Sequence, residues 1–234
     1  MIERGSIVSF AAAACVSLTA APAHAGSHTW VVTEVFSDPS GTIQFIEMTE
    51  CCGGAGEIGV NGHSLTSNSV TTYVIPGPSL TPPTSNRRLL FATAAFACLP
   101  GAPTPNYIIP DNFFNPAGDT ITYVPWNSWT FGPVPTNCTS SLQRDLTGNV
   151  TTGTNNPVNY AGTQGSVNAC VCIGDVTPAG GNGNVDVNDL LTVITHWGPC
   201  AGSGCGDCIP SPCGNGTVDV NDLLGVITHW GLCQ

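Results

Sequence analysis

"WVVTEVFSDPSGTIQFIEMTE", Trp30 to Glu50, places two apolar-rich runs either side of a Ser-Asp-Pro-Ser-Gly turn signal. In the first run Trp30, Val32, Glu34 and Phe36 recur with a period of two, the period of a β-strand rather than of a helix. Working outward, "TTYVIP" (71–76), "RRLLFATAAFA" (87–97), "GDTITYVPW" (118–126) and "SWTFGPV" (128–134) are further short runs set between Gly, Pro and Asn. Such runs, with no long stretch of helical period, predict an antiparallel β-sandwich or barrel over residues 26–168. The alanines of "RRLLFATAAFA" also suit a helix; the Pro and Gly that follow favour a strand. Residues 147–168, rich in Thr, Gly and Asn, read as a long loop or weak last strand and then a linker.

Charge is scarce and one-sided. The 234 residues contain no lysine, and beyond Arg4 only Arg87, Arg88 and Arg144 are basic, for a net charge of -11. Nucleic acid and anionic membrane are excluded as partners on that ground, because both require a cationic surface. A cation such as calcium, or a partner bearing basic groups, suits the field better. Arg4, the apolar run 7–21 and Ala23-His24-Ala25 read as an export signal, residues 1–25, short and rich in Ala and Ser for a membrane span, with a retained anchor as the alternative. The mature chain is therefore expected to be secreted or on the cell surface. Eleven cysteines remain after Cys15 leaves with the signal, so disulfides are expected, with one thiol left over.

The tail, 169–234, holds a duplication. "GNGNVDVNDLLTVITHWGPC" (181–200) returns as "GNGTVDVNDLLGVITHWGLC" (214–233). Val187, Leu190, Leu191, Ile194 and Trp197 fall at helical spacing as one apolar stripe, matched by Val220, Leu223, Leu224, Ile227 and Trp230. Asp186 and Asp219 occupy the N-cap position, with Asp189 and Asp222 three residues on, where carboxylates accept backbone N–H bonds and meet the positive helix end. Asn182-Gly183 and Asn215-Gly216 supply the bend. Oxygen donors at alternating positions, a Gly in the bend and a carboxylate just inside the following helix make the layout of an EF-hand-like calcium loop. With Asp189 closing the first loop, Asp186, Asn184 and Asn182 are its other donors; Asp222, Asp219, Thr217 and Asn215 serve the second. The opening position falls on Pro178 and Ser211, so the opening ligands are Asp175 and Asp207, displaced by insertions. Two calcium ions are expected.

These residues resemble a dockerin module of the type in planctomycete-type secreted proteins, where "VDVNDLL…WGxC" recurs. The resemblance implies a small all-α duplicate that docks onto a cohesin-like or other extracellular protein, with Val187, Asn188, Val220 and Asn221 at the contact. Upstream, "VTEVFSDPSGTIQFIEMTE", "RRLLFAT" and "SLQRD" resemble the lamin-tail-like domain, which implies an immunoglobulin-like sandwich without a settled partner. The bracketing of each copy by cysteines suggests Cys172–Cys200, Cys205–Cys233 and Cys208–Cys213. A zinc reading of Cys205-x-x-Cys208 lacks a second matching pair.

No catalytic set emerges: there is no nucleophile-elbow serine, no HExxH and no phosphate loop. Glu34, Glu47 and Glu50 are the right type for paired acid–base work, but read as strand carboxylates facing solvent. His63-Ser64 reads as turn chemistry. The sequence thus predicts a non-catalytic, calcium-binding docking protein. The alternative is a component of extracellular polysaccharide breakdown, with Trp126, Trp129 and Phe131 available to stack on sugars.

Overall fold

The computed structural model describes residues 26–68, 71–170, 172–179, 181–200 and 205–233. The expected export signal and Cys15 lie outside the described residues. Along the first part of the chain run β1 (Trp30–Ser37), β2 (Gln44–Glu50), β3 (Ser64–Ser67), β4 (Thr72–Val74) and β5 (Arg88–Ala92). A short helix, α1 (Ala94–Ala97), precedes β6 (Tyr107–Ile108), β7 (Asp119–Val124), β8 (Asn127–Phe131), β9 (Ser140–Arg144) and β10 (Val150–Thr154). They form a six-stranded sheet, ordered β10-β9-β1-β2-β5-β6, and a four-stranded sheet, ordered β4-β3-β7-β8. All pairs are antiparallel except β5 with β6. The fold is mainly β, as expected.

One core lies between the sheets. Trp30, Val32, Val35, Ile46, Met48, Leu89 and Phe91 from the larger sheet meet Leu65, Ile121, Tyr123, Trp129 and Phe131 from the smaller. Trp129 and Phe131 are thus core residues, and of the three aromatics weighed for sugar stacking only Trp126 is exposed, beside His63. A second apolar cluster, with Phe36, Phe45, Leu90 and Phe96, covers part of the larger sheet's outer face under α1 and residues 167–169. The segment "RRLLFATAAFA" is both strand and helix: Thr93 ends β5, and its hydroxyl caps α1 by accepting from the N–H of Phe96.

Strict alternation in β1 breaks at Thr33. Val32 faces Met48 but Glu34 faces Glu47, so Thr33 is the extra residue of a β-bulge. The bulge keeps Trp30, Val32 and Val35 in the central core and turns Glu34 and Phe36 outward. The β9–β10 hairpin pairs through Val150–Arg144 to Thr154–Ser140, in a region read from sequence as loop or weak strand.

The tail carries β11 (Asn184–Val185), α2 (Val187–Thr195), β12 (Gly198–Pro199), β13 (Thr217–Val218), α3 (Val220–Thr228) and β14 (Gly231–Leu232). Two helices with four short strands replace the expected all-α tail. The strands arise because each repeat's acidic turn and its end are extended, and each finds the other repeat: β11 pairs with β14 and β12 with β13.

Candidate binding site on a two-fold tail

Each repeat starts its helix in the same way. The Asp186 Oδ1 accepts from the N–H of Asn188 at 2.7 Å, and Asp189 Oδ2 accepts from the N–H of Asp186 at 2.8 Å, closing a capping box. Asp219 and Asp222 repeat this at the same distances. The inner aspartates reach further. Asp189 Oδ1 takes the N–H groups of Val176 and Thr177, and Asp222 Oδ1 takes those of Cys208 and Ile209. Both carboxylates are fully buried. At the far ends His196 and His229 are C-caps, their Nδ1 atoms 2.9 Å from the carbonyls of Thr192 and Gly225.

The displaced aspartates close the loops. Asp175 accepts from the N–H groups of Asn182 and Gly183, and Asp207 from those of Asn215 and Gly216. Both bends need glycine, since Gly183 and Gly216 have φ of +84°. The insertions around Pro178 and Ser211 are therefore bridged, and the carboxylates stand where the acidic bend needs them.

The disulfides depart from the expected pairing. They join Cys172 to Cys233 and Cys200 to Cys205, so each repeat's opening cysteine bonds the closing cysteine of the other. Within-repeat Cys172–Cys200 and Cys205–Cys233 are thereby corrected. The reason is the strand exchange, which carries the end of one repeat to the acidic turn of the other. Cys208–Cys213 is also corrected. Cys213 bonds Cys98 across to the β-rich part, Cys138 bonds Cys170, and Cys208 is a buried free thiol in the place that Val176 holds in the first repeat. Burial, aided by the charge of Asp222, pushes its thiol up to about 12. This thiol is core filling, which removes the Cys205-x-x-Cys208 spacing from metal chemistry.

The same exchange decides which helix faces are exposed. The tail core is Val185, Val193, Val218 and Val226, with Leu190 and Leu223 partly buried against it. Gly174 packs so closely on α3 that a Cβ there would lie 2.9 Å from Val226 Cα, and a Cβ on Gly206 would lie 3.0 Å from Val193 Cα of α2. The stripes read from sequence therefore point mostly outward. Val187, Leu191, Ile194 and Trp197, and their twins Val220, Leu224, Ile227 and Trp230, are between 51% and 54% exposed. Asn188 and Asn221 are exposed beside them.

The donor set around each loop is chemically suited to a hard divalent cation: carboxylate, amide and carbonyl oxygens. Residues 170–234 contain six aspartates and neither Lys nor Arg, so nothing in the tail sequence balances them. Asp175, Asp186 and Asp189 do not form a cluster within 4.8 Å. Among the described residues the one such group is Cys172, Asp175 and Cys233, whose two sulfurs are bonded to each other. The side-chain oxygens of Asn182 and Asn215 accept from the N–H groups of Asn184 and Thr217. A cavity of about 810 Å³ lies between the tail and the β-rich part, lined by both Asp175 and Asp207.

A second polar site was missed by the sequence reading. Glu34, Glu47 and Glu50 are buried, not solvent-facing. Glu34 and Glu47 sit opposite each other under a cleft of about 370 Å³, bordered by Arg88, Gln143 and the 145–149 turn. Arg88 Nη1 lies 2.7 Å from Glu47 Oε1, Ser141 donates to Glu34, and the N–H groups of Asn156 and Val158 cap the pair. Burial pushes Glu47 up to about 7, with Arg88 opposing the rise and Glu34 adding to it; burial also raises Glu34. The available sequence signal was the placement of rare charges inside apolar strand runs. In comparisons with known proteins, no family model, curated protein or solved structure matches this chain.

Proposed function

We propose that this is a secreted, non-catalytic docking protein. Its β-rich part is a lamin-tail-like, immunoglobulin-like sandwich, and its tail is a dockerin-like module that binds an extracellular protein of cohesin-like or other type. The observation that carries this reading is the pair of exposed, sequence-identical apolar rows on α2 and α3. Water-exposed Val, Leu, Ile and Trp in one row, twice, is the chemistry of helix-in-groove recognition. The six aspartates around these helices suit a groove rimmed by basic residues. The several disulfides fit an extracellular protein. No described helix is long and apolar enough to cross a membrane.

Calcium, one ion per loop, is part of the same proposal. Asp175, Asn182, Asn184, Asp186 and Asp189 would hold one ion, and Asp207, Asn215, Thr217, Asp219 and Asp222 the other, neutralising the loops and stiffening the helix starts. Capture of extracellular proteins by the mature chain, with calcium or with EDTA, tests the reading. A partner held by the parent chain in calcium and released by EDTA is expected, with binding lost in the Leu191→Asp, Leu224→Asp double variant. Capture unaffected by both changes would reject it.

The alternative, a role in polysaccharide breakdown, draws support from the cleft above Glu34 and Glu47, whose hydroxyl, amide and charged side chains suit a polyol. Retention on insoluble polysaccharide, and reducing-sugar release lost in Glu47→Gln, would favour it over docking alone.

A further inference from the structure

Cys51 and Cys52 are adjacent and bonded to each other. The other bonds join residues 115, 32, 61 and 5 apart. A disulfide stabilises a fold chiefly by closing a loop in the unfolded chain, and a bond between neighbours closes only an eight-membered ring, the smallest loop of the five. Linkage works in both directions: a bond that does not stabilise the fold is not protected by the fold. Cys51–Cys52 is therefore the disulfide whose reduction folding opposes least.

The loop around it has other anchors. The buried Glu50 carboxylate accepts from the N–H groups of Cys52, Gly53 and Gly54 and, from across the loop, of Asn86, all at 2.9–3.0 Å. The Cys51 N–H donates to the Thr29 carbonyl at 2.9 Å, and the Ser85 hydroxyl donates to the Gly53 carbonyl at 3.0 Å. None of these contacts involves sulfur, so none of them requires the bond to be closed. Access is good: Cys52 is exposed, and a Cβ built on Gly53 would meet nothing within 4 Å.

We propose that Cys51–Cys52 is a redox-active site, exchanging electrons with a dithiol, separate from the docking faces of the tail. The incoming thiolate attacks the Cys52 sulfur, the Cys51–Cys52 bond breaks, and Cys51 leaves as a thiolate that takes a proton from water. The second thiol of the dithiol, giving up its proton to water, then attacks the dithiol's own sulfur in the mixed disulfide and releases Cys52 as a thiolate that takes up a proton. Two electrons pass to the protein, and the dithiol leaves as its own disulfide.

Graded dithiothreitol on the folded mature chain, followed by acid quench, alkylation and peptide mapping, tests the proposal. Cys51 and Cys52 are expected to label together at about tenfold less reductant than Cys98, Cys213, Cys138, Cys170, Cys172, Cys233, Cys200 or Cys205, with the melting temperature unchanged. Labelling of this pair last, or only together with unfolding, would overturn it. The Cys51→Ser, Cys52→Ser variant should keep the parent melting temperature and lose the first labelling step. A fall in melting temperature as large as that of Cys98→Ser, Cys213→Ser would contradict the proposal.

Discussion

Glu47 shows how one bulge residue sets the chemistry of a side chain. Had β1 kept strict alternation through Thr33, Glu34 would share a face with Trp30 and Val32; instead it lies opposite Glu47 on the outer face. Burial favours the neutral acid, so the folded chain keeps a proton at Glu47 that the unfolded chain has released. The carboxyl moves from an ordinary 4.5 to about 7. Its contribution to stability is complete below about 4.5 and is lost as pH rises through about 7, with Glu34 acting in the same direction. Denaturant titrations should therefore give a stability roughly 2–3 kcal/mol lower at pH 8 than at pH 5, and Glu47→Gln should flatten that slope. Cys208 offers a second test at this scale, because the first repeat has already made the substitution. Val176 donates its N–H to Asp189 as Cys208 does to Asp222. Cys208→Val should change stability by no more than about 1 kcal/mol in thermal melts.

At the scale of elements, the capping boxes were legible in "VDVNDLL", since Asp followed three residues later by Asp before an apolar run has few other local solutions. The strand pairing of β1 with β2 was legible for the same local reason. What could not be read was which side of α2 and α3 faces inward. The periodicity marks Val187, Leu191, Ile194 and Trp197 as a row, but Val193 was chosen for the core by the other repeat, through Gly206. The cystine pairing was hidden likewise, since spacing within a repeat carries no information about exchange between repeats. Glu34 and Glu47 were misread because a bulge has no reliable sequence mark. Asp189 is the element's keystone: three backbone N–H groups from the cap and the preceding turn converge on it. Asp189→Ala should cost about 2–4 kcal/mol in denaturant titrations performed in EDTA, because those donors lose their partner whether or not an ion is bound. No cost in EDTA would contradict this backbone role, and a larger cost in calcium would add the proposed ion to the same carboxylate.

Across the whole molecule, two covalent links hold the tail's entry and its second insertion to the β-rich part. Cys138–Cys170 fixes the chain where the tail begins, and Cys98–Cys213 ties the second repeat to the end of α1. The module thus presents its apolar helix rows from an anchored base, which would lower the entropy lost in the docking proposed above. Its repeats are equivalent in caps, turns, cystine exchange and exposed rows, so the account requires equivalent ion binding as well. Native mass spectrometry of the chain in about millimolar calcium measures this directly, because the proposed loops, if of extracellular type, would bind with a Kd of about 10⁻⁴ M. The account predicts two calcium ions lost together on EDTA, the mass deficit of five disulfides, and one thiol that alkylates only after denaturation. A chain that stays metal-free in calcium, with unchanged helicity, would contradict it.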